Sequence, residues 1–71
     1  MSEQIYGELV ANVLEVVVEV GSKVAEGDTI VLLESMKMEI PVLCETEGTV
    51  TEVAVQVGDV IQAGDLIASI E

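Results

Sequence analysis

Displaced along itself by 37 residues, the chain lands like on like: Val13 on Val50, Glu15 on Glu52, Val16 on Val53, Val18 on Val55, Val20 on Val57 and Gly21 on Gly58. The match continues with Gly27 on Gly64, Asp28 on Asp65, Ile30 on Ile67 and Glu34 on Glu71. One register held over so many positions marks a duplicated unit. A chain this short removes only about 60% of its unfolded surface from water, so a half of it cannot bury its own apolar face. Two half-domains packed about an approximate two-fold axis, with residues 1–71 as one domain, are therefore predicted.

The repeat is written in strand chemistry. Trp and Phe are absent and Tyr6 is the single aromatic, so the core must be Val, Ile and Leu packed on themselves, and branched side chains suit a pleated surface. Val16, Val18, Val20 and Val53, Val55, Val57 alternate with their neighbours until a glycine follows, which predicts two strands. Val13 and Val50 are out of phase with those triplets, which predicts a bulge near Leu14-Glu15 and near Thr51-Glu52. Glu26-Gly27-Asp28 and Ala63-Gly64-Asp65 read as matched turns, with glycine at positive φ and aspartate bonding the following backbone. Strands resume at Thr29 to Ser35 and Leu66 to Glu71. No window shows apolar spacing of three and four, so the fold expected is all-β, a sandwich or flattened barrel. Pro41, inside the strand after Lys37, is tolerable only at an edge or irregular position, so that strand is expected to be an edge over part of its length.

Charge narrows the partners. Fourteen acidic residues face two lysines, a formal net of -12, which repels phosphate backbones and anionic membrane surfaces, so neither nucleic acid nor membrane is expected. The opening Met1-Ser2-Glu3-Gln4 has no basic start followed by an apolar run, and the expected location is the cytoplasm. With one cysteine and no histidine, neither an internal disulfide nor a nitrogen-containing metal site is expected; Cys44 reads as a small apolar strand residue. The acidic residues lack calcium-loop spacing, and the six glycines carry no phosphate-loop pattern. No acid, base or nucleophile cluster suggests an enzyme.

The remaining outlier is Glu34-Ser35-Met36-Lys37-Met38-Glu39. Pairing Glu34 with Glu39, Leu33 with Ile40 and Val31 with Val42 leaves Met36-Lys37 as a two-residue turn, where Asn-Gly or Gly is the usual choice because one or both central residues take positive φ. A local rule broken without structural gain is where function is expected. The repeat sets the symmetry mate of this turn where the two chain ends meet.

This hexapeptide, with the flanking glycines and the repeat, resembles the biotinyl/lipoyl attachment domains over essentially the whole chain, in particular the small biotinylated carriers of actinobacteria and bacilli. In that family a Met-Lys-Met turn presents the modified lysine. The resemblance implies a barrel-sandwich hybrid of two four-stranded antiparallel sheets and biotin joined covalently to Lys37 as N6-biotinyllysine by a biotin protein ligase. It further implies a biotin carboxyl carrier working between biotin carboxylase and carboxyltransferase sites, as in an acyl-CoA carboxylase. Met36 and Met38, with Ser35, Glu34 and Glu39 beside them, are the recognition residues it suggests. Serine precedes Met36 where alanine is commoner, and the apolar thumb of some carrier subunits is missing because Val10 to Val20 runs without an insertion. Lipoyl domains usually set aspartate before and alanine after their lysine, so the two methionines favour biotin. A third possibility on the same fold is a biotinylated adaptor or biotin store that docks with no carboxylase.

Overall fold

The computed structural model describes residues 2–71. Met1, the first residue of the opening tetrapeptide, lies outside the described residues. The strands run β1 (Glu3–Tyr6), β2 (Ala11–Val16), β3 (Lys23–Val24), β4 (Thr29–Ser35), β5 (Met38–Leu43), β6 (Gly48–Val53), β7 (Val60–Ile61) and β8 (Leu66–Ile70), with no helix among the described residues. They form two antiparallel four-stranded sheets, ordered β1-β8-β6-β3 and β5-β4-β2-β7.

The 37-residue repeat governs the pairing. Val13 faces Leu33 and Val50 faces Ile70; Glu15 faces Leu32 and Glu52 faces Ser69; Leu33 faces Ile40 and Ile70 faces Glu3. The register slips between Val13 and Glu15, and again between Val50 and Glu52, so both predicted bulges are present. Because Glu3 meets Ile70 as Ile40 meets Leu33, the chain ends occupy the place in one sheet that the Met36-Lys37 turn occupies in the other.

Four glycines sit at the corners, Gly21, Gly27, Gly58 and Gly64, at φ of 95°, 90°, 94° and 92°. In each corner the fourth residue's N–H donates to the first carbonyl, as from Asp28 to Ala25 at 3.0 Å and from Asp65 to Gln62 at 3.1 Å. Positive φ at the third position makes these type II turns. The aspartates work backwards, not forwards as predicted: Asp28 accepts from the Ala25 N–H at 2.9 Å and Asp65 from the Gln62 N–H at 3.0 Å, tying each turn to its own first residue.

The valine triplets also need correction. Strands β2 and β6 end at Val16 and Val53, earlier than predicted, because Glu19–Ser22 and Gln56–Asp59 are themselves turns that cannot continue a ladder. Alternation of burial persists beyond the strand ends, with Val18 half-buried and Val55 buried while Val20 and Val57 point outward at the corners, both 65% exposed. Lys23, the second lysine, is an exposed residue of β3.

The core is a dry layer of Ile30, Val31 and Leu33 against their equivalents Ile67, Ala68 and Ile70, with Val13 and Val50 beside them, all 2% exposed or less. Equivalence is kept by compensation. Cys44, just past β5 rather than within a strand, is buried and its thiol donates to the Ala25 carbonyl at 2.9 Å. At the matching Gly7 a Cβ would lie 3.0 Å from the Ile61 side chain and 3.0 Å from the Gln62 carbonyl. Ile61 fills this corner, and in the other half its mate is the shorter Val24. Pro41 lies on β5, an edge strand as expected, opposite Leu32.

Fourteen carboxylates around so small a core repel one another. Raising salt from about 10 to 150 mM shortens the screening length from about 30 to about 8 Å. The thermal midpoint of the unmodified protein should therefore rise by several degrees, and a flat or falling midpoint in a calorimetric salt series would contradict this.

Candidate functional site

Strands β4 and β5 stay in register to their last pair, Ser35 with Met38, leaving Met36 and Lys37 alone to reverse the chain. Both lie in the left-handed region, Met36 at φ 54° and Lys37 at φ 66°, which is the backbone of a type I′ turn. This turn matches the twist of a tight hairpin, but a side chain pays about 1–2 kcal/mol for left-handed backbone. The pairing on either side, Leu33 with Ile40 and Val31 with Val42, supplies the constraint, since Leu33 and Val31 are buried. The predicted hairpin is present to the residue.

The exposure of the tip is one-sided. Met36 is 87% and Met38 59% exposed, so neither methionine contributes to the core. Lys37 and Glu39 are exposed; Glu34 and Ser35 are half-buried. Glu34 and Glu39 face each other directly across the hairpin. An amine at the end of four methylenes here is accessible from outside, and an acyl group of cofactor length attached to it would sweep on the order of 14 Å from the backbone.

A residue outside the predicted site helps hold the scaffold. The Glu3 carboxylate on β1 accepts from the N–H groups of Glu45 and Thr46, both at 3.1 Å, and from the Thr46 hydroxyl at 2.6 Å, clasping one sheet to the loop after β5 of the other. No sequence pattern links positions so far apart. Between β1 and β5 the sandwich leaves an open groove of about 410 Å³, with Leu33, Ile40 and Val42 among its lining residues. Among the described residues no group of three or more His, Cys, Asp or Glu side chains is placed to hold a metal.

If the Met36-Lys37 backbone is strained, Asn-Gly should relax it. The double substitution Met36→Asn and Lys37→Gly is expected to raise the thermal midpoint by about 4–8 °C, equivalent to about 1 kcal/mol in a domain of this size. An unchanged or lower midpoint in calorimetry would show that the turn holds no such strain.

A two-sheet scaffold that presents one lysine on a left-handed turn at the tip of a hairpin defines a carrier domain, whose reactive group is carried outward to other sites. The family described as biotin-requiring enzyme matches residues 4–70. The chain belongs to that biotin/lipoyl family. It is 67% identical over 43 residues to the biotinylated protein TB7.3 homolog of Mycolicibacterium smegmatis, an alignment spanning 61% of this chain and 61% of that protein. Among solved structures it superposes on the Kluyveromyces lactis urea carboxylase with a TM-score of 0.92 at 34% identity, covering 100% of this chain and 6% of the carboxylase. A single-chain, multi-domain long-chain acyl-CoA carboxylase gives a TM-score of 0.89 at 26% identity, covering 96% of this chain and 7% of that one. Family and relative together make covalently held biotin the cofactor of this domain. The donor chemistry fits: a free, outward-facing primary amine is what an amide to a carboxylated cofactor requires.

Proposed function

We propose that residues 1–71 act as a biotin carboxyl carrier in the cytoplasm. Lys37 is biotinylated by a biotin protein ligase, and the arm carries a carboxyl group from a biotin carboxylase site to a carboxyltransferase site of an acyl-CoA carboxylase. The observation that carries this reading is the turn itself: two side-chain-bearing residues held at φ 54° and 66° to present an exposed lysine, where Asn-Gly would close the hairpin at lower cost. Met36 and Met38 are the apolar contacts for the ligase and carboxylase, an exposed pair with no role in the core. Ser35, Glu34 and Glu39 set how those enzymes approach the turn. The protein itself is not a catalyst. Tethering makes each delivery intramolecular once the carrier docks, at effective concentrations around millimolar for a short flexible link.

The resemblance to carboxylase domains supports an acyl-CoA carboxylase as the user, since one structural neighbour is such an enzyme. Purification of the biotinylated protein from its native cells on streptavidin tests the role. Co-eluting biotin carboxylase and carboxyltransferase subunits are the expected result. A biotinylated protein that elutes alone, and that purified carboxylase subunits do not turn over, would replace this reading with the adaptor or store.

A further inference from the structure

The duplication provides an internal control for the outer surfaces. Residues directly opposite on neighbouring strands share a face, so the outward positions of the hairpin sheet follow from its register. Leu32 lies between Pro41 of β5 and Glu15 of β2, with Leu14 at the bulge beside Glu15, and Val60 lies opposite Asn12. Shifted by 37 residues, Leu14, Leu32, Pro41 and Val60 become Thr51, Ser69, Gln4 and Lys23. Thr51, Ser69 and Gln4 line one shallow depression on the other sheet, and the Thr51 hydroxyl donates to the Ser69 carbonyl at 3.3 Å. The same scaffold thus accepts polar residues at the equivalent places, and folding alone does not account for the apolar set. Leu14 is 36% and Val60 64% exposed, and Pro41 is exposed.

Position and charge choose the occupant. The apolar face belongs to the sheet whose β4 and β5 end in the Lys37 turn. It shares that face with Glu15 and with the opposed pair Glu34 and Glu39; on the other sheet the mates of Glu15 and Glu34 are also acidic, Glu52 and Glu71, but the mate of Glu39 is Ser2, so only the hairpin sheet sets two carboxylates directly opposite each other. Like charges directly opposite cost energy until a cation comes between them. A second copy, itself at -12, brings none in surplus.

We propose that the outer face of the β5-β4-β2-β7 sheet, centred on Leu14, Leu32 and Pro41, is a docking surface for the biotin carboxylase subunit, which meets it with an apolar patch edged by Lys or Arg. This rests on the carrier reading above. A shuttling carrier needs a contact that releases, and transient interfaces bury less than about 1,200 Å² in total, within the reach of one face of a molecule exposing 4484 Å².

The test replaces the face by the residues the other sheet already carries: Leu14→Thr, Leu32→Ser and Pro41→Gln together, with Leu14→Thr alone as the milder variant. Each protein is fully biotinylated and titrated as substrate of the biotin carboxylase from the same cells, with ATP and bicarbonate. The expected result is a KM for the triple variant raised about tenfold or more and for the single variant about threefold, with kcat retained, a wild-type KM that rises from low to high salt, and an unaltered rate of biotinylation. An unchanged KM in a folded variant overturns the proposal. So does a biotinylation rate that falls in its place, assigning the face to the ligase, or a wild-type dimer in sedimentation that the substitutions dissolve, assigning it to self-association. If the triple variant melts below assay temperature, the single variant decides by the same criteria. Wild-type protein that the carboxylase does not turn over at all removes the carrier reading, and the proposal with it; normal turnover with an indifferent variant removes the docking face alone.

Discussion

Co-expressed with a biotin protein ligase, the wild-type chain is expected to gain the mass of one biotinyl amide, Lys23→Arg to gain the same, and Lys37→Arg to gain none. The effect is all or none because the reaction needs a specific nucleophile in a specific place. Arginine keeps the charge but has no amine that forms a stable amide under these conditions, so its failure separates nucleophile from cation. Lys23 lacks what Lys37 has: it lies on β3 opposite Thr49, within a ladder, and not at the end of a hairpin. A ligase must bring its activated acyl group to within bonding distance of the nitrogen, and the hairpin tip, with Met36 and Met38 exposed on either side of Lys37, offers it a contact surface that Lys23 lacks. Intact-mass measurement of the three proteins checks this. A gain that survives in Lys37→Arg would sink the site, and a lipoyl-sized gain on the wild type would overturn the cofactor.

Different parts of this structure were legible to different degrees. The hairpin could be read residue by residue because its register follows from period-two burial and its turn from an improbable dipeptide, both local. The bulges were legible because Val13 and Val50 fall out of phase in both copies, and the repeat turned a weak signal into two concordant ones. The extent of β2 and β6 was not legible: Val18 and Val55 lie beyond the strand ends yet are half-buried and buried, and side-chain alternation does not distinguish ladder from linking backbone. The Glu3 clasp and the Cys44 thiol at the Ala25 carbonyl were invisible, since each joins positions far apart in sequence through contacts only the packed sheets create. The apolar outer face stood in the sequence all along, as the mismatch between Leu14, Leu32, Pro41 and their mates. It acquires meaning only when the register places those three side by side.

The second large effect tests the duplication energetically. Ile30 and Ile67 are equivalent, and both are 0% exposed. Truncating a buried isoleucine to alanine removes its transfer energy and leaves a cavity that a closely packed core closes only in part, at about 2–5 kcal/mol. Stability of about 0.05–0.15 kcal/mol per residue gives a domain of this length only several kcal/mol in all. Ile30→Ala and Ile67→Ala should therefore each lower the thermal midpoint by about 10 °C or more, and the two losses should agree closely, because each side chain fills the same slot in its own half. Neither half has a core without the other, so damage on the side of the termini must loosen the hairpin as severely as damage beneath it. Biotinylation of both variants should then slow sharply above their lowered midpoints. Paired calorimetry and ligase assays decide the matter: a loss under about 1 kcal/mol at one site and a full loss at the other would mean that the halves do not share one core, and that the Lys37 turn is held by its own half alone.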